Sequence, residues 1–145
     1  MRTEGCLRQA AATGRRSFCD RRGLAVNLLI VDDHAGMRAL IRHLIGPLAK
    51  QVQECASGEE AVDLCTRFVP DCVTMDLRMG PMHGLAAVQN IRSAHPMANI
   101  IVVTQHDHDT LRARARRAGA DNYITKDNLE ALRRYVQSLA TDLED

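Results

Sequence analysis

Four short apolar runs in this sequence each give way to residues able to bind a cation, donate a hydrogen bond or carry a charge. Leu28 to Val31 is followed by Asp32 and Asp33, Cys72 to Met75 by Asp76, Ile100 to Val103 by Thr104, and Asn122 to Ile124 by Thr125 and Lys126. Carboxylates brought together repel and raise one another's pKa unless a cation intervenes, and a hard, oxygen-only ligand set suits Mg²⁺. An ammonium and a hydroxyl beside such a cation offer a point charge and a donor, the electrostatic arrangement that phosphoryl transfer requires. Asp76 is the natural nucleophile, because it ends a central run. Any one of these acids alone reads as a helix cap or a solvated loop residue. A pair, a lone Asp, a Thr and a Lys closing successive runs in this order is a far more specific pattern.

That chemistry exists only if the chain brings the ends of the runs to one place. From Asn27 onward, apolar runs alternate with amphipathic segments: Leu28 to Val31, a polar run around Val52 to Cys55, Cys72 to Met75, Ile100 to Val103, and Asn122 to Ile124. Met37, Leu40, Ile41, Leu44 and Ile45 share one helical face, as do Ala61, Leu64, Cys65 and Phe68. Gly46-Pro47, Pro70, His95-Pro96 and Gly119 punctuate the pattern where helices stop or strands begin. The implied architecture is α/β, with five βα units. Strands joined through helices run parallel, and right-handed crossovers place helices on both faces of the sheet. The first, third and fourth runs are apolar throughout, as buried central strands are, whereas the second alternates and the fifth is short and mixed. Those two belong at the edges, which predicts a flavodoxin-like (βα)5 three-layer sandwich with sheet order 2-1-3-4-5. Ligands in such sheets bind at the carboxyl ends of the strands, near the switch point between the first and third.

The bulk numbers agree with one domain. A chain of 145 residues with 46% apolar and 26% charged residues buries one sizeable core. A net charge of +1 makes no global case for nucleic acid, and no apolar run approaches the roughly 20 residues of a membrane span. Five cysteines without a CxxC pair argue against a disulfide framework or zinc site and fit a reducing cytoplasm. Residues 1–26 are arginine-rich and lack apolar periodicity, so they are expected to be a flexible basic tail, with the domain spanning 27–145.

The stretches LLIVDDHAGMRALI, DCVTMDLRMGPMHG, IIVVTQHD and AGADNYITKDN resemble the four signature regions of the receiver domains of two-component response regulators, over roughly residues 27 to 143. The resemblance implies that Asp76 is a phosphoacceptor, that Asp33 binds Mg²⁺ directly and Asp32 through water, and that the backbone carbonyl of Arg78 completes the protein ligands. It matches Thr104 and Lys126 to the pair that contacts the phosphoryl group and Tyr123 to a rotating switch aromatic. It implies a sensor histidine kinase or phosphotransfer protein as donor, and an output protein or a second copy of the chain as the partner that reads the phosphorylated state. Only 19 residues follow Lys126, enough for one helix with Leu129, Leu132, Val136 and Leu139 buried, so output is expected to be contact with protein and not with DNA. Such a domain is a switch and not an enzyme.

The sequence departs from the family pattern in three places. Gly80 and Pro81 stand where a proline four residues after the phosphoacceptor is usual. Asp127 follows Lys126 where proline is common, which predicts a trans peptide there and offers Asp127 as N-cap of the last helix with Glu130 completing a capping box. Gln105 occupies a place where small residues are commoner, and its amide is expected to obstruct the approach to Asp76. A degenerate receiver that binds a partner constitutively is the alternative that Gln105 keeps open. A phosphohydrolase with an aspartyl-phosphate intermediate wants a DxD nucleophile motif, which the adjacent Asp32 and Asp33 do not supply. His34, His83 and His106 lie on three different loops and invite a transition-metal site, but no ligand spacing supports one. Arg112, Arg114, Arg116 and Arg117 read as a solvated face or a surface for acidic partners.

Overall fold

The computed structural model describes residues 26–78 and 84–142. Its elements in chain order are β1 (Val26–Val31), α1 (Ala35–Ile45), a 3-10 turn (Gly46–Leu48), β2 (Ala49–Cys55), α2 (Gly58–Leu64), β3 (Cys72–Met75), α3 (Gly84–Ala94), β4 (Asn99–Thr104), α4 (Asp109–Ala118), β5 (Asn122–Thr125) and α5 (Leu129–Asp142). The five strands pair in parallel in the order β2-β1-β3-β4-β5, the flavodoxin-like order expected from the apolar patterning. No described helix is long and apolar enough to cross a membrane.

Period-two alternation splits the core between the two faces of the sheet. Leu29 and Val31 of β1 point to the side covered by α2, α3 and α4, where Ala61, Val88, Ile91 and Ala115 are buried with them. Leu28 and Ile30 point to the other side, against Ile41 and Ile45 of α1 and Leu132, Val136 and Leu139 of α5. The central strands β1, β3 and β4 are buried on nearly every residue, while β2 and β5 are mostly half-exposed, as edge strands are. The turn after α4 closes on Gly119, whose φ of +119° suits glycine at a helix C-terminus.

Several local expectations need correction. β1 opens at Val26, one residue inside the expected tail, and β2 starts at Ala49, three residues before the run read from the sequence. Leu40 is 42% exposed although its spacing puts it with the buried stripe of α1. The helical stripe of Leu40, Ile41, Leu44 and Ile45 is wider than the sheet can cover, and Leu40 is the member turned outward. Asp127 does not cap the last helix: α5 begins at Leu129, the Asp127 carboxylate accepts from the Thr125 hydroxyl, and Glu130 pairs with Arg133. The peptide after Lys126 is trans. Gly80, Pro81 and His83 lie outside the described residues.

Candidate functional site

The backbone ladders run one residue past the strands, and this fixes the chemically active positions. Asp32 N–H donates to Cys55 O at 3.2 Å, Asp76 N–H to Val31 O at 3.0 Å, and Lys126 N–H to Thr104 O at 2.8 Å. Asp32, Asp76, Thr104 and Lys126 therefore inherit the rigidity of the sheet, and their side chains emerge on its carboxyl rim. There Asp32, Asp33 and Asp76 each offer a carboxylate oxygen, all within 4.8 Å of one another. Lys126 Nζ reaches into the group, 2.8 Å from Asp32 Oδ2 and 3.4 Å from Asp76 Oδ2. A cavity of about 270 Å³ opens beside them, with Asp33, Asp76, Arg78, Thr104, Gln105 and Lys126 among its walls.

The environments of the three carboxylates differ. Asp32 is 1% exposed; its Oδ1 accepts from His34 N–H at 2.8 Å, and its Oδ2 is paired with the Lys126 ammonium at 2.8 Å. Asp33 is exposed. Among the described residues Asp76, 5% exposed, has only Arg78 N–H, at 3.3 Å to Oδ1, besides the long contact to Lys126. Burial pushes its pKa up and the Asp32 charge adds to that, with Lys126 and the Arg78 N–H only partly opposing them. Burial works to depress the Lys126 ammonium, but its bond to Asp32 and the Asp76 charge prevail and hold it above its ordinary value. Three acids sharing one ammonium leave an excess of negative charge in a largely buried group, which a cation would offset. The oxygen-only donor set fits Mg²⁺ and has no soft ligand that would favour a transition metal. Among the described residues no histidine joins the acidic group. His34 Nδ1 is instead occupied by Met37 N–H at 3.1 Å as the N-cap of α1.

The family model of the response regulator receiver domain matches residues 28–137. The chain belongs to that family. Response regulator UvrY of Escherichia coli (strain K12) is 37% identical over 103 residues, 70% of this chain and 47% of UvrY, so the chain spans about half the length of that relative. Chemotaxis protein CheY of Thermotoga maritima is 37% identical over 100 residues, 68% of this chain and 83% of CheY. Among solved structures, a two-component response regulator of the LuxR family from Aurantimonas sp. SI85-9A1 superposes with a TM-score of 0.71 at 33% identity, over 82% of this chain and 85% of that one. A CheY-like receiver domain protein from Methanospirillum hungatei JF-1 shares the fold, with a TM-score of 0.74 at 21% identity over 82% of this chain and 96% of that one.

In this receiver domain Asp32, Asp33, Asp76, Thr104 and Lys126 converge as their order along the chain led one to expect. Thr104 is 1% exposed, and its hydroxyl oxygen accepts from His106 N–H at 3.5 Å. Arg78 lines the cavity with an exposed side chain, and Gln105, also exposed, forms part of the wall. Tyr123 stands one strand away, with its hydroxyl donating to His106 O in the loop after β4. Gly84 was not singled out by its sequence, yet it is indispensable. A Cβ built there would lie 2.4 Å from Asp76 O and 2.5 Å from Leu77 Cα, so any side chain would displace the backbone that presents Asp76. Only the position of glycine after the β3 loop hinted at this, since the approach is made between residues brought together by the fold. Cys55, Cys65 and Cys72 are buried free thiols, pushed by burial to about 12, 11 and 12, which removes them from nucleophilic chemistry.

Proposed function

We propose that Asp76 is the phosphoacceptor of this receiver domain, in a Mg²⁺-dependent reaction. The observation that carries the reading is the Asp76 carboxylate at the edge of an open cavity, 3.4 Å from the Lys126 ammonium and grouped with two further carboxylates. Asp32, Asp33 and Asp76, with the carbonyl of Arg78, would hold the ion. When bound, Mg²⁺ supplies positive charge that keeps Asp76 ionised and offsets the charge on the phosphoryl oxygens. An Asp76 oxygen attacks phosphorus, the bond from phosphorus to the donor breaks, and the leaving group departs with its electron pair. Lys126 neutralises one phosphoryl oxygen, and the Thr104 hydroxyl donates to another. The same hydroxyl oxygen accepts from His106 N–H, which connects the chemistry to the loop that Tyr123 holds. Tyr123 thus acts as the switch aromatic.

The donor in this reading is a sensor histidine kinase or a phosphotransfer protein, and the phosphorylated surface is read by an output protein or a second copy of the chain in the cytoplasm. In this reading the arginine-rich residues 1–25 are a basic segment preceding the domain, which opens at Val26, and the domain signals without catalytic turnover. The test is incubation with a small acyl phosphate followed by mass spectrometry of the intact chain. One added phosphoryl group with Mg²⁺ and none with a chelator is expected. Equal labelling in the two conditions contradicts the role of the ion, and no labelling in either contradicts the role of Asp76.

A further inference from the structure

Arg112, in the first turns of α4, touches two things at once. Its Nε donates to Asp107 Oδ1 at 2.7 Å, in the loop between β4 and α4. Its guanidinium carbon lies 4.6 Å from the centroid of the Tyr123 ring on β5, a cation–π geometry. The Tyr123 hydroxyl in turn donates to His106 O, and His106 N–H points at the Thr104 hydroxyl oxygen 3.5 Å away. The contacts form one chain from an exposed helix face to the wall of the cavity beside Asp76. The Arg112 hydrogen bond holds the Asp107 carboxylate below its ordinary range.

We propose that Arg112 is a positioning residue that clamps the Tyr123 ring against the loop carrying Thr104 and His106, so that the state of the Asp76 site and the accessibility of α4 are coupled through one guanidinium. The inference rests on the roles of Asp76 and Tyr123 given above and names the residue that sets the bias between their two states. Arg112 and Asp107 are about half exposed, at 41% and 58% of their side-chain area, so the clamp is weak by construction. An exposed ion pair and an exposed cation–π contact each shift an equilibrium only about two- to five-fold. That is the range a reversible switch requires, since a buried and fully paired lock would hold Tyr123 in one place whatever happened at Asp76. A partner that took Arg112 with its own carboxylate would release Tyr123, and by linkage a change at Tyr123 would alter the affinity for that partner.

The chain has two tyrosines and no tryptophan, so Tyr135→Phe leaves Tyr123 as the only tyrosine and the dominant source of intrinsic fluorescence. In that background Arg112→Leu is expected to raise the acrylamide quenching constant about two- to five-fold, with the circular dichroism spectrum unchanged, and Arg112→Lys to restore most of the protection. A folded Arg112→Leu protein that quenches like its parent, or an Arg112→Lys protein that quenches like Arg112→Leu, overturns the clamp. Asp107→Asn is a second variant, at an exposed loop residue outside the core; it is expected to move quenching in the same direction by less, and no movement overturns the proposal equally. Labelling of the parent by acyl phosphate is run separately: its failure overturns the role of Asp76 and leaves the quenching to decide the clamp.

Discussion

Strand β3 has a buried aspartate at each end, and the two could hardly be treated more differently. Asp71, just before the strand, is 4% exposed, and its Oδ2 accepts from Asn27 N–H at 2.9 Å while its own amide and carbonyl pair with Asn27 and Asn99. Asp76, just after the strand, is 5% exposed and among the described residues receives one long backbone bond and one long contact to a shared ammonium. The lower edge of the sheet repeats the first pattern at Asp121, whose Oδ2 accepts from Ile100 N–H at 2.8 Å and pairs with Arg92 at 2.5 Å. Arg92 extends that network to the carbonyls of Gly119, Pro96 and Ala98. Burial alone therefore does not mark a functional carboxylate. Directed donors make an aspartate a structural clamp, and a shortage of them leaves it poised to take a cation or form a bond.

The contrast is broken most severely from the lower edge. Arg92→Met removes donors from three backbone carbonyls and from Asp121, and is expected to cost about 1 to 2 kcal/mol of folding stability in chemical denaturation, because the buried Ala98 carbonyl and the half-buried Gly119 carbonyl lose their partner together while the Pro96 carbonyl and the Asp121 carboxylate can turn to water. The folded fraction should still be labelled at the parent's rate. A variant that unfolds normally but loses labelling would erase the division between the two ends.

At the rim the sign reverses. Folding raises the pKa of Asp76 above its ordinary 3.8, so its ionised form costs stability at neutral pH, and the cost is relieved as pH falls from the folded value toward 3.8. Asp76→Asn, with Lys126 still 2.8 Å from Asp32, is expected to stabilise the metal-free protein by about 1 kcal/mol at neutral pH, roughly 3 °C in Tm. The gain should shrink as the solution is acidified, which thermal melts in a chelating buffer across pH 4 to 8 would follow. A loss of stability at neutral pH would mean that Asp76 is as well satisfied as Asp71.

The smallest effect concerns Gln105, which is exposed on the cavity wall. Gln105→Ala should speed both phosphorylation by small donors and spontaneous dephosphorylation by a few-fold, on the order of 1 kcal/mol in barrier or less, if the amide obstructs access. Slower rates for both steps would show that it assists.

Much of this was legible in the sequence, because parallel βα topology converts a linear order into a place. Four strand ends carrying Asp32, Asp76, Thr104 and Lys126 can meet only at one rim, and the apolar content of each run told edge from centre. What escaped was set by contacts between residues distant along the chain. Gly84 is required by a backbone approach to Asp76 that no local pattern encodes, and the five hydrogen bonds of Arg92 look in the sequence like one more surface charge. Asp127 failed as a cap because its carboxylate found the Thr125 hydroxyl first, and Leu40 turned outward because spacing alone does not say how wide a stripe the sheet can cover.

Of the two aspartates bounding β3, Asp71 is a clamp and Asp76 the proposed nucleophile. Locating the label decides it most directly: the protein is phosphorylated by an acyl phosphate in Mg²⁺, the acyl phosphate is trapped by borohydride reduction, and the modified residue is read by peptide sequencing in the mass spectrometer. The account predicts modification of Asp76 alone, absent in Asp76→Asn and retained in Asp71→Asn. Modification at Asp71 or any other carboxylate, or persistence at an unchanged rate in Asp76→Asn, would contradict it.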